Sequence, residues 1–142
     1  MRLESQTTSV HENSEVQSPN CFSIKSIRSC KSCTPSKARE QITVLSRSKI
    51  TQPGLRKPIE RCIPWYDSAV RDFNVSTREL VEDPMSANYD AGVAGIQAYY
   101  CENGFVFAQL LVPAEIASLN EKLWSFSRIA EAVTDTLQQD YS

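Results

Sequence analysis

Apolar residues keep a helical period most faithfully near the C-terminus. Ile116, Leu119, Leu123, Phe126, Ala130, Val133 and Leu137 follow one another at alternating spacings of three and four. That spacing puts them on one side of an α-helix. It predicts either one helix of about 25 residues or two helices divided at Ser125 to Ser127. Pro113 suits the first turn, where its missing N–H costs nothing, and Glu115 complements the positive end of the helix dipole. Upstream, Asp90 is an N-cap candidate for a helix over 91–102, with Val93, Ile96, Tyr99 and Tyr100 as its apolar face. Asn103-Gly104 supplies a left-handed stop. Phe105 to Leu111, apolar except at Gln109, then reads as a strand buried on both sides.

The pattern is poorer before Asp90. A helix is predicted over 67–81 from Val70, Phe73 and Leu80, interrupted by Asn74-Val-Ser-Thr and ended ahead of Pro84. Residues 1–60 hold no sustained periodicity, only the strand-like patch Ile42-Thr-Val-Leu. Eleven of those sixty residues are Ser, and Pro19, Pro35, Pro53 and Pro58 punctuate them. Such a segment buries too little apolar surface to offset its backbone entropy, and disorder is expected. The expected fold is therefore mostly α with one short strand, a helix–strand–helix unit behind a long disordered tail. The divisions are 1–60, a basic Ser-rich tail; 61–89, a linker with a short helix; and 90–142, the folded unit.

Charge sharpens this division. Residues 25–61 carry ten Lys or Arg and two acids, whereas residues 62–142 carry four basic and twelve acidic side chains. The overall charge of −2 is the near-cancellation of a basic and an acidic part. The basic part lacks interleaved aromatics and a recognition helix, so it carries no specific nucleic-acid signal. No run approaches the roughly 18 apolar residues that a membrane span needs. The N-terminus has no apolar signal region, which points to an intracellular, cytoplasmic chain in a reducing compartment without disulfides. Mitochondrial targeting is the lesser alternative, opposed by Glu4, Glu12 and Glu15.

Candidate chemistry is sparse. The one histidine, His11, lies in the tail, which removes the usual general base and the usual zinc and iron ligand sets. Cys30-Lys-Ser-Cys33 has the spacing of a zinc knuckle. A four-thiolate site would also need Cys21 and Cys62, at irregular separations. Cys30 and Cys33 are thus the only metal candidates, and no catalytic or cofactor-binding residue is assigned. Asn74 begins a glycosylation sequon, and Ser18 and Thr34 precede prolines as phosphorylation candidates.

The run from Ile96 to Leu123 resembles the opening segment of phytanoyl-CoA dioxygenase-like proteins, Fe(II)/2-oxoglutarate-dependent oxygenases. Tyr100, Glu102, Asn103, Gly104, Phe105 and Val106 match its first half, and Leu111, Pro113, Glu115, Ile116, Leu119 and Leu123 its second. Val112 departs from the pattern, standing where the family has a capping Ser or Thr. The resemblance implies the opening segment of a double-stranded β-helix and a family reaction that oxidises a lipid or secondary metabolite. It implies Fe(II), held by a His-x-Asp/Glu…His triad, and 2-oxoglutarate, its carboxylate paired by a basic residue. No histidine follows His11, so the resemblance implies a truncated or degenerate oxygenase, inactive as this chain. The alternative is a small non-enzymatic interaction protein. It would use its basic tail and its acidic amphipathic C-terminal helix, with the stripe Ile116 to Leu137 as contact surface, for a partner or for self-association.

Overall fold

The molecule is seen in a computed structural model that describes residues 35–49 and 51–140, the side chain of Asp140 excepted. These residues form four α-helices: α1 (Pro35–Arg47), α2 (Pro53–Glu79), α3 (Pro84–Phe107) and α4 (Ala114–Asp140). No strand occurs among the described residues, so the expected helix–strand–helix unit is replaced by an all-α bundle.

The expected tail is ordered from Pro35 onward. Ala38, Ile42 and Leu45 lie at spacings of four and three and face the core, with Ile42 fully buried. The Ile42 to Leu45 patch is helical, with Val44 turned to solvent. A helix this short is marginal alone and is stabilised here by packing against α2. The part of the expected tail before Pro35 lies outside the described residues.

The expected linker is also helix. α2 begins at Pro53 and passes through Pro58 and Pro64 to Glu79. Each interior proline removes one i→i−4 hydrogen bond and crowds the preceding turn, a cost of about 3 kcal/mol. Burial of Pro58, Ile59, Cys62, Tyr66, Ala69 and Phe73 on the same helix opposes that cost.

α3 is capped seven residues before the expected Asp90, at Asp83. The Asp83 carboxylate accepts hydrogen bonds from the Ser86 N–H at 3.1 Å and the Ser86 hydroxyl at 2.7 Å, and Pro84 takes the first helical position. The helix then runs straight through Asn103-Gly104, and Gly104 is not left-handed. It closes where the strand was expected. The Leu110 N–H donates to the Phe105 carbonyl and the Gln109 N–H to that of Val106, both at 2.9 Å, with Gln109 at φ 56°. This is a Schellman closure with Gln in the position that usually holds Gly. An apolar run of strand length looks the same on an all-round apolar helix, which is why the spacing suggests a strand here.

α4 is one unbroken helix, without a division at Ser125 to Ser127. The Pro113 carbonyl accepts the Ala117 N–H, so Pro113 sits at the edge of the first turn, close to its expected place. Ile116, Leu119 and Leu123 are buried in the common core, with Phe126 and Ala130 packed against it.

Consecutive helices run antiparallel. Between α2 and α3, Cys62 meets Cys101, Trp65 meets Tyr100, Asp72 meets Gln97 and Ser76 meets Ala87. Between α3 and α4, Glu102 meets Asn120, Ala91 meets Ser127, Asn88 meets Thr134 and Pro84 meets Gln138. α1 lies on α2 and the first half of α4, opposite α3. Small residues let α3 approach both neighbours: Ala87, Ala91, Ala94 and Ala98 are fully buried. At Gly95 the fit leaves no room for a methyl group, which would stand 2.5 Å from Ser127 Oγ and 2.7 Å from its Cβ.

Cys62 and Cys101 are joined as a disulfide, their Cα atoms 4.6 Å apart. This corrects the expectation of a chain without disulfides. It also removes Cys62 from any thiolate site with Cys21, Cys30 and Cys33.

Two outcomes follow from this packing. Gly95→Ala, although it favours the helix by up to ~1 kcal/mol, lowers stability by about 1–3 kcal/mol through overpacking against Ser127. Ser127→Gly in the same chain recovers part of the loss; strictly additive urea-unfolding energies would reject the close-contact account. Cys101→Ser lowers the stability of the oxidised protein by about 2–4 kcal/mol, the usual scale for releasing a closed loop. The same substitution changes much less when the wild type is measured in reductant.

Candidate interaction surface

α3 carries two charged side chains in its 24 residues, Asp90 and Glu102, and both point along its borders with the other helices. Glu102 accepts the Asn120 side-chain N–H at 3.2 Å. Asn120 in turn accepts the buried Tyr66 hydroxyl at 2.6 Å. Burial first, and the nearby Glu102 charge second, raise the Tyr66 phenol well above its ordinary range, so it stays a neutral donor. Asp90 lies on the α2 border beside Glu79 and Asp72. Burial raises both carboxyls, and Asp90 raises them further; the Gln97 hydrogen bond and Arg71 act the other way on Asp72, and Arg78 on Glu79.

The outer side of α3 is uncharged along its whole length. Met85, Tyr89, Ile96, Tyr99, Tyr100, Val106 and Phe107 are all exposed, from 40% at Ile96 to 86% at Phe107. On the α2 side Trp65 stacks on Tyr100 with ring centroids 4.9 Å apart, and Tyr99 lies 6.0 Å from Tyr100. On the α4 side Trp124 borders Gly95, 3.5 Å from where a methyl group there would lie. A helix apolar all round belongs in an interior, yet this one shows a face to solvent. A monomer's largest apolar patch is about 300–600 Å². Six partly exposed aromatics at 150–250 Å² each, with Met85, Ile96 and Val106, leave roughly 900 Å² here.

This surface inverts the sequence expectation. Val93, Ile96, Tyr99 and Tyr100 were the expected apolar face of α3, but the residues that enter the core are Ala91, Ala94, Ala98, Cys101 and Phe105. The signal was the 4-3-4-3-4 spacing of Ala87, Ala91, Ala94, Ala98, Cys101 and Phe105. Conversely, the Ile116 to Leu137 stripe expected as a contact surface points inward along α4, with Ile116, Leu119 and Leu123 buried and Phe126, Val133 and Leu137 partly so.

Comparison with protein-family models, curated proteins and solved structures finds no match. The surface is therefore read from its own chemistry.

A groove of about 490 Å³ between α1 and α4 is lined by Lys37, Glu40, Gln41, Val44, Leu119 and Lys122 among others. It is open and carries both signs of charge, with Lys37 paired to Glu40 at 2.8 Å. Such pairs are ordinary solvated surface. Among the described residues no three His, Cys, Asp or Glu side chains converge as metal donors. The zinc candidates Cys30 and Cys33, and His11, lie outside the described residues. With one histidine in the chain, the residues present do not fit the two-histidine iron triad that the oxygenase resemblance implies.

The Glu79–Asp90 border gives a pH dependence with a definite sign. A carboxyl whose folded pKa is raised keeps its proton longer in the native state, so its contribution is full below the ordinary carboxyl range. That contribution is lost as pH rises through the raised folded value. Glu79→Gln should flatten the fall in urea midpoint as pH rises above the ordinary glutamate value of 4.5. Parallel midpoint–pH curves for variant and wild type would show that Glu79 has no such role.

Proposed function

We propose that this chain is a non-catalytic docking module that binds another protein's apolar surface through the outer face of α3. The observation that carries the reading is that uncharged face, nine exposed apolar side chains with the flanking tryptophans counted. Folding gains nothing from large aromatics left in water, whereas association gains by covering them.

The borders select the kind of partner. Asp72 and Glu79 on the α2 side and Glu131 and Asp135 on the α4 side flank the first half of the uncharged face. Residues 62–142, which carry the surface, hold twelve acidic and four basic side chains. That balance repels nucleic-acid phosphates and anionic lipid headgroups, so an apolar protein surface is the fitting partner. No helix among the described residues is long and apolar enough to cross a membrane.

The oxygenase-derived reading rests on the sequence resemblance alone, and the strand it implies at Phe105 to Leu111 is helix and turn.

A photo-crosslinking residue placed at Tyr99 in the full chain should give protein–protein adducts in cells. The same residue at Thr136, exposed on the outer side of α4, should give few. Equal yields at the two positions, or none at Tyr99, would reject the face as a docking site.

A further inference from the structure

Resting on the docking reading, we infer that the partner is a second copy of this chain, held by its own α3 face across a two-fold axis near Ile96 with the two α3 helices antiparallel. Three observations lead there. The face is uncharged, so two copies meet without repulsion along its centre. Its exposed apolar area, roughly 900 Å² per copy, matches the ~800 Å² that each partner contributes to a standard interface. The third observation is the polarity of charge on the α2 border.

Lys57, Arg61, Trp65, Asp72 and Glu79 lie along one side of α2, because separations of 4, 4, 7 and 7 residues return to nearly the same helical angle. The border is therefore basic at its start, aromatic in the middle and acidic at its end. A two-fold rotation that lays one face on the other with α3 antiparallel brings the α2 border onto the partner's α2 border, reversed. The cross-contacts of α2 with α3 fix the register: Cys62 opposite Cys101 and Ser76 opposite Ala87. With the axis at Ile96, Arg61 then faces the second copy's Asp72, and Lys57 comes within a turn of its Glu79. A parallel pair would place α2 against α4 instead and lose this match. On the α4 border Trp124 sits between acidic ends, tempered by Lys122 and Arg128, so the orientation is selected by α2.

Sedimentation equilibrium of the full chain at about 10–100 µM tests the inference. The wild type should run at twice its 15.9 kDa mass. Ile96→Glu and, separately, Tyr99→Arg should run as monomers with unchanged helical circular dichroism, since both positions are exposed. Lys57→Glu should weaken the dimer about tenfold through its two symmetric contacts. Lys57→Glu with Glu79→Lys in one chain should restore it. A wild-type monomer at the highest concentration, or a dimer indifferent to Ile96→Glu and Tyr99→Arg, overturns the second-copy inference. A double swap that fails to recover the dimer overturns the antiparallel arrangement. A wild-type monomer that still yields Tyr99 adducts with a different protein ends the self-association reading alone. A monomer without adducts ends the docking reading as well.

Discussion

The close approach of α3 to its two neighbours is the constraint on which the rest depends. Ala87, Ala91, Ala94 and Ala98 present almost no side chain to the core, so α2 and α4 come near the α3 backbone. At that distance short polar side chains reach across to main-chain carbonyls. The Ser76 hydroxyl donates to the Ala87 carbonyl at 2.7 Å and the Ser127 hydroxyl to that of Ala91 at 2.8 Å. Asn88 donates to the Glu131 carbonyl at 3.0 Å, and Gln138 to that of Pro84 at 3.1 Å. Each such bond contributes about 0.5–1.5 kcal/mol net. Their larger effect is on register, because a slip of one residue would leave buried hydroxyls unpaired.

The two ends of α3 are fixed by different means. Its first half is held by those side-chain to main-chain bonds. Its second half is held by the Cys62–Cys101 disulfide and by the chain from Tyr66 through Asn120 to Glu102, which links α2, α4 and α3. Tyr66 and Asn120 are both fully buried, so each depends on the other for its polar group. α1 adds a fourth wall only beside this second half, where Ile42 seals the core formed by Ile59, Cys62 and Tyr66.

Part of this was legible in the sequence. The apolar stripe of α4 through Ile116, Leu119 and Leu123, and its start beside Pro113, follow from apolar spacing and proline stereochemistry, although not the side to which the stripe turns. The helical state of 67–79 was also readable. What misled were residues whose local rule is overridden by packing. Pro58 and Pro64 suggest breaks, yet they sit in a helix whose buried face outweighs two missing hydrogen bonds. Gly104 suggests a stop, yet the stop comes at Gln109, where nothing in its side chain advertises a left-handed turn. The candidate surface was the least legible, because the large apolar residues of α3 mark its most conspicuous face and the alanines a weaker one. Tyr99, Tyr100 and Ile96 look like core, and the true seam is made of alanines whose hydrophobicity alone is weak.

That inversion has a thermodynamic consequence. Burial contributes about 25 cal/mol per Å² of apolar surface, so the small inner residues of α3 supply little of its stability. Close backbone packing, cross-helix hydrogen bonds and the disulfide supply the remainder. The large residues on the outer face contribute almost nothing to folding while they stay in water, and their full value is released only when the face is covered. Fold stability and association are thus written on opposite sides of one helix. Substitutions at Gly95 or Ala94 act on the first and substitutions at Ile96 or Tyr99 on the second, although the residues adjoin in sequence. A helix whose purpose ended at folding would place its aromatics inward and its charges outward. α3 keeps its only two charges, Asp90 and Glu102, against its neighbours and leaves the solvent side to Met85, Tyr89 and Phe107.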